Sequence, residues 1–195
     1  MRDASGRRHV YAFAGANGSG KSTVINFYLK NGLCPRDYIC PDQLVPPDMK
    51  EDEGEYRKAM AEAERRRLER VAGGASFTFE TVLSTRGKLD FIRFAQSQGY
   101  VVAAIYVLTS DVGINAERVS ARVAAGGHGV PLDKIIARYA KAMSLMPEVV
   151  GQADEALLYD NSGGEPIVVY AKYRDGRKFA LEPYPPWLER HFSPF

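Results

Sequence analysis

An α/β fold with a doubly wound, mainly parallel sheet is predicted by three observations. Apolar strand-like runs alternate with helix-period segments along most of the 195 residues. The first of these runs leads into a glycine-rich turn that opens a helix. Near the C-terminus the alternation stops, and an Asp-Gly turn joins two strand-like runs as an appended antiparallel hairpin. The length suits one domain over 1–195, with a core over about 9–165 and the hairpin and tail over 166–195.

Each element has its own signal. Val10–Ala14 is an apolar strand, and Ser22–Asn31 has a helical pattern closed by Gly32. Tyr38–Cys40 is a short apolar run ending at Pro41-Asp42, and residues 43–50, with Pro46-Pro47, read as a loop. Glu51–Ala72 is helical, with Tyr56, Met60, Ala63, Leu68 and Val71 as its apolar stripe. Its basic run Arg65-Arg66-Arg67 and Arg70 is interleaved with Glu62, Glu64 and Glu69, the pattern of a solvated face rather than an RNA-binding one. Gly73-Gly74 ends that helix. Ser76–Phe79 follows as a strand ending at Glu80, and then Leu89–Gln98 as a helix. Val101–Leu108 is the most apolar run and is expected at the centre of the sheet. Ser110 or Asp111 caps a helix to about Ala124; residues 125–131 form a glycine-rich break; Leu132 to about Met146 is a long helix. Leu157–Tyr159 is a strand that ends at Asp160. Ile167–Tyr173 and Lys178–Glu182 flank Arg174-Asp175-Gly176-Arg177, and Pro183, Pro185 and Pro186 then confine the tail to a turn around Trp187.

Composition narrows the function. The chain is 45% hydrophobic and 26% charged, as soluble domains are, and its net charge of +2 comes from 26 basic and 24 acidic residues. That balance argues against a nucleic-acid or anionic-membrane partner. No window approaches the roughly 18 apolar residues of a membrane span, so a cytoplasmic location is expected. Cys34 and Cys40 read as reduced thiols in one surface loop.

The run Gly15-Ala16-Asn17-Gly18-Ser19-Gly20-Lys21-Ser22, followed by Thr23, is a complete phosphate-binding loop. Its glycines let backbone N–H groups turn onto an anion, and the following helix adds the positive end of its dipole. Lys21 is placed to reach the β- and γ-phosphates of ATP, and the Ser22 hydroxyl to hold Mg²⁺. No guanine-reading Asn-Lys-x-Asp tetrad accompanies the loop, and Thr109-Ser110 separate the central strand from Asp111. A small-molecule phosphotransferase therefore fits better than a GTPase or a motor.

Such an enzyme needs a base, an acceptor pocket and arginines over the transferred phosphoryl group. Ligands of open α/β sheets bind at the carboxyl ends of the strands, which selects Gly15, Asp42, Glu80, Asp111 and Asp160. Asp42 is the candidate base and Glu80 the candidate ligand of acceptor hydroxyls. Arg118 and Arg122 share a helix face before the glycine-rich break and Arg138 follows it, so a mobile segment can close arginines over the phosphates. His128 reads as a lid contact or an exposed residue rather than a base.

Phe13–Thr23, then Ser76–Ser84, Arg118-Val119, Arg122-Val123, Gly126-Gly127-His128, Val130-Pro131, Arg138-Tyr139 and Tyr159-Asp160-Asn161-Ser162, resembles the short form of the zeta toxin family. The resemblance covers about residues 10–165. It implies a P-loop kinase fold, with ATP and Mg²⁺ at Gly15–Thr23, Asp42 as general base and Glu80 as sugar ligand. It also makes Arg118, Arg122 and Arg138 the phosphate-stabilising candidates. The acceptor it implies is the sugar of UDP-N-acetylglucosamine, and the partner of such a toxin is a neutralising antitoxin protein. The family usually has Asn-Ala-Asp where this chain has Cys40-Pro41-Asp42, and an acidic residue where it has Gly129. The competing readings are an ATP-dependent binding or regulatory module that phosphorylates no metabolite, and a nucleic-acid end kinase resting on the Arg65–Arg70 cluster.

Overall fold

Alternation along the first strand shows how the molecule is layered. In β1 (Arg8–Ala14), Val10, Ala12 and Ala14 face the larger of two apolar clusters and Phe13 the smaller one on the opposite side. Successive strand residues point to opposite faces, so a strand buried throughout must be covered on both. α1 (Lys21–Lys30) covers the smaller face with Val24, Ile25 and Tyr28. β2 (Tyr38–Ile39), α2 (Glu53–Ala72), β3 (Phe77–Thr81) and α3 (Arg86–Ser97) follow. β4 (Tyr100–Leu108) is buried along its whole length and sends alternate residues into both clusters. After α4 (Val112–Ala124), α5 (Leu132–Gln152) and β5 (Glu155–Asp160) comes the hairpin of β6 (Ile167–Lys172) and β7 (Lys178–Ala180), then α6 (Pro186–Glu189).

This computed structural model describes residues 6–49, 52–127 and 129–194; the sequence readings at residues 1–5, Lys50, Glu51 and His128 fall outside them. The described residues form a seven-stranded sheet in the order β2-β3-β1-β4-β5-β6-β7. β1 to β5 are parallel; β6 and β7 are antiparallel additions at one edge. The fold is thus α/β with a mainly parallel sheet, and β4 lies at its centre. From β1 the chain passes to one side of the sheet and from β4 to the other. That reversal opens a crevice at the strands' carboxyl ends. Among the described residues no helix is long and apolar enough to cross a membrane.

Four expectations need correction. The buried face of α2 is Ala59, Ala63, Arg67 and Val71, a strict i, i+4 series, while Leu68 is exposed. Arg67 therefore leaves the solvated face that its neighbours Arg65 and Arg66 do occupy. α5 does not stop near Met146 but runs through Pro147 to Gln152. A proline inside a helix costs about 3 kcal/mol. Met146, Val149 and Val150 lie buried against the sheet on the same helix, and at about 1.5–3 kcal/mol per side chain their burial outweighs that cost. α3 starts at Arg86, three residues before the apolar pattern that signalled it. Cys34 and Cys40 are free thiols, but both are buried rather than part of a surface loop. The tail is tied down as well: Leu188 enters the larger cluster, and the Trp187 indole N–H donates to Asp160 Oδ2 at 3.2 Å.

Candidate active site

The glycine loop leaves β1 where Phe13 pairs with Glu80 and Ala14 with Thr81, so the ends of β1 and β3 arrive side by side. Two of its glycines are needed on steric grounds. Gly18 and Gly20 have φ of 79° and 90°; a Cβ on them would lie 2.3 Å from the Asn115 carbonyl oxygen and 2.1 Å from Asn161 Nδ2. These close neighbours are the braces of the loop. Asn115 Nδ2 donates to the Asn17 carbonyl at 2.7 Å, and Asn161 Nδ2 to the Ser19 carbonyl at 2.8 Å. Asn115 is fully buried and also accepts from the Thr109 hydroxyl. Asn115→Ala would orphan the buried Thr109 hydroxyl and the half-buried Asn17 carbonyl, and a loss of about 1–3 kcal/mol in urea unfolding is expected.

Inside the loop several polar groups are left without a full set of partners. Gly20, at the start of α1, makes no side-chain cap, which leaves first-turn N–H groups open to a ligand. Ser19 Oγ is buried with no hydrogen-bond partner. Lys21 is buried, donates to the Ala16 carbonyl at 3.0 Å and lies 3.7 Å from Glu80 Oε1. Burial pulls its pKa below the usual lysine value, against the opposing pull of Glu80 and Asp42. A phosphate entering the loop would meet the orphaned hydroxyl and an ammonium held by only one close hydrogen bond.

Asp42 sits in the 3₁₀ turn Pro41–Gln43 directly after β2, with its side chain exposed to the cleft. The Tyr56 hydroxyl donates to its Oδ1 at 2.6 Å. Glu80, on β3, accepts from the Tyr38 hydroxyl at 2.6 Å. The Cys40 Sγ lies 3.8 Å from the same oxygen, and burial pushes that thiol's pKa up to about 11. Two cavities meet here. One, of about 520 Å³, runs between the N-terminal part of α2 and the α4–α5 connection, and Arg122, Lys134 and Arg138 line it. The other, of about 120 Å³, is lined by Lys21, Glu80 and residues 81–85. Asn17, Asp42, Tyr56 and Arg138 border both.

The arginines divide. Arg138 donates to Asn17 Oδ1 at 3.0 Å, on the loop itself, and Arg122 faces the same cleft. Arg118 instead donates to the Gly163 carbonyl at 3.0 Å, in the segment after β5, and borders neither cavity. Of the other strand-end acids, Asp111 caps α4 through Gly113 N–H, and Asp160 holds Ser162 and Trp187. Both are accounted for structurally. Ser22 lies exposed in the first turn of α1. Among the described residues no cluster of three or more metal-binding side chains occurs. Magnesium in such sites takes one or two protein oxygens and completes its shell with phosphate and water. Ser22 and the exposed Asp42 carboxylate fit that requirement.

Sequence reasoning missed Tyr38, Tyr56, Asn115 and the cationic pair Arg67 and Lys88, all of which brace or line the site. Tyr56 had been counted in an apolar stripe; its hydroxyl carries no periodic signal. For Arg67 a signal existed, in the spacing of Ala59, Ala63 and Val71.

The sheet order, the loop and the helix it opens define a P-loop kinase-like fold. Solved structures share it. The AvrRxo1-ORF1:-ORF2 crystal structure with ATP matches with TM-score 0.73 and 18% identity over 96% of this chain. This chain spans 64% of the length of that one. A structure from the PezAT chromosomal toxin-antitoxin system of Streptococcus pneumoniae matches with TM-score 0.63 and 15% identity, covering 98% of this chain and 80% of its own. A gluconokinase from Sinorhizobium meliloti 1021 matches with TM-score 0.51 and 20% identity, covering 80% and 86%. In sequence, an uncharacterized protein of Haemophilus influenzae is 29% identical over 131 residues, 65% of this chain and 89% of that protein. No protein-family model matches the chain.

Proposed function

We propose that this protein is a zeta-toxin-like kinase that transfers the γ-phosphoryl group of ATP to a hydroxyl of a small metabolite, with the sugar of UDP-N-acetylglucosamine as the first candidate acceptor. One observation carries the reading: Asp42 stands where the two cavities meet, with Lys21 and Glu80 in one and Arg122 and Arg138 in or beside the other. A binding module needs no carboxylate at that junction. Lys21 and the loop N–H groups hold the phosphates. Glu80, steadied by Tyr38, orients the acceptor. Asp42, steadied by Tyr56, takes the proton of the attacking hydroxyl. The new bond forms between that oxygen and the γ-phosphorus as the bond to the β-phosphate oxygen breaks, and ADP leaves. Arg122 and Arg138 neutralise the charge spread over the phosphoryl oxygens. Magnesium, when bound through Ser22, supplies further charge neutralisation at the phosphates. Arg118 is better placed to fix the nucleotide near the segment after β5 than to touch the transferred group. The likeness to a structure from a toxin-antitoxin system supports a neutralising protein as partner.

Phosphorus NMR with Mg-ATP and UDP-N-acetylglucosamine tests the reading. A new phosphomonoester signal is expected. If ATP binds but no signal appears, UDP-N-acetylglucosamine is removed as acceptor; if ATP does not bind, the whole reading falls.

A further inference from the structure

We infer that the molecule received beside Asp42 and Glu80 carries an oxyanion, a phosphate or a carboxylate, that docks between Arg67, Lys88 and the first turn of α3. The word acceptor for that molecule rests on the kinase reading; the anion site does not. Arg67 is 1% exposed, and its guanidinium carbon lies 5.2 Å and 5.5 Å from the ring centres of Phe79 and Phe91. The rings hold the guanidinium but give its N–H groups no acceptor, and Nε is buried with no hydrogen-bond partner. Its carboxylate neighbour Glu64 stands 3.9 Å from Nη2, beyond hydrogen-bond reach, and is itself 62% exposed. The same carboxylate oxygen lies 3.8 Å from Lys88 Nζ. One solvated carboxylate is thus shared by two largely buried cations.

Such an imbalance is costly unless something offsets it. Burial depresses the pKa of both groups, and the charge of Arg67 depresses that of Lys88 further. The helix start makes the imbalance larger. The first turn of α3 has no acidic residue and its Thr85 makes no side-chain cap, so the positive end of the helix adds to the two cations. Arg67, Lys88, Ser84 and Thr85 all border the cavity that also holds Lys21 and Glu80. An oxyanion there would meet the edge of the Arg67 guanidinium that borders the cavity, the ammonium and two hydroxyls, in the charge-assisted pairing that arginine favours. It would sit in the same cavity as the groups that handle the reacting hydroxyl. A neutral sugar alone would leave all of this unmet.

The test uses the full-length protein saturated with Mg-ADP, so that the glycine loop is filled, and labelled with ¹⁵N-arginine. Inorganic phosphate is titrated while the Nε–H signal of Arg67 is followed. A saturable shift is expected, weakened at least about tenfold in Lys88→Met, which keeps the apolar stem and spares the buried Arg67. An unmoved Arg67 signal overturns the inference, whether or not the protein proves to be a kinase. A second arm compares N-acetylglucosamine with its 1-phosphate and with glucuronic acid under Mg-ATP. Higher kcat/KM for the anionic acceptors, with the advantage lost in Lys88→Met, supports the site and tells phosphate from carboxylate. Equal use of the neutral sugar overturns its role in acceptor choice. Phosphate binding at Arg67 with no transfer to any of the three would remove them as acceptors and leave the anion site standing.

Discussion

Asp42→Asn is expected to slow phosphoryl transfer by about 10²–10⁴-fold, the usual contribution of a positioned general base, while the Kd for Mg-ATP changes no more than a few-fold. The choice of asparagine follows from the geometry. The Tyr56 hydroxyl donates to Asp42 Oδ1, and an amide oxygen can accept that hydrogen bond in the same place, though without the charge. The 3₁₀ turn and its seat against α2 are therefore kept, and only the ability to take a proton is lost. Initial rates of phosphomonoester formation, read beside calorimetric ATP binding, separate the two effects. Transfer at near the normal rate would remove Asp42 as the base. A parallel collapse of ATP affinity would assign it to the phosphate or magnesium side instead.

Lys21→Met should be nearly as damaging to turnover and harmless to folding. Losing the ammonium that faces the β- and γ-phosphates is expected to lower kcat by about 10²–10³-fold, the scale of one lost electrostatic contact to the transferring group. ATP affinity should fall with it, which distinguishes this change from Asp42→Asn. Stability should change little, because removing a buried charge is offset by the loss of its hydrogen bond to Ala16 and its ion pair with Glu80. The pH dependence gives an independent check. The pKa of Lys21 is depressed in the folded state, so between that lowered value and the ordinary 10.5 the unfolded chain binds more of the proton. The charge of Lys21 therefore opposes folding at neutral pH and does so less as pH rises through the alkaline range. The parent should gain stability relative to Lys21→Met over that range in urea titrations. A variant that unfolds at neutral pH would show that the Ala16 and Glu80 contacts of Lys21 outweigh its burial.

The parts legible in the sequence share one property: their information is local. The glycine loop reads from eight consecutive residues because backbone torsion and N–H direction are set within them. The strands read from unbroken apolar runs, and the hairpin from Asp175-Gly176, where Gly176 adopts φ of 89°. Asp42 and Glu80 stood out because each follows an apolar run, and strand ends in a parallel sheet gather at one edge. Their placement at one cavity agrees with that rule.

What the sequence by itself determined is the loop, the alternation of elements and hence the α/β class. Only the tertiary structure decided which side chains surround the chemistry. The helix read from Leu132 to about Met146 continues through Pro147, because burial of its neighbours on the sheet outweighs the proline. Arg67 looked like part of a solvated basic run, and the packing of α2 against Phe79 and Phe91 turned it inward. Arg118 and Arg122 lie one turn apart on the same helix, yet one reaches the segment after β5 and the other the cleft. Asn115 and Asn161 brace the loop from positions 98 and 142 residues away in the chain. Contacts of that span depend on which strands become neighbours. That is settled by the free energy of burying both faces of the sheet at once, a sum over the whole chain that no local run of residues contains.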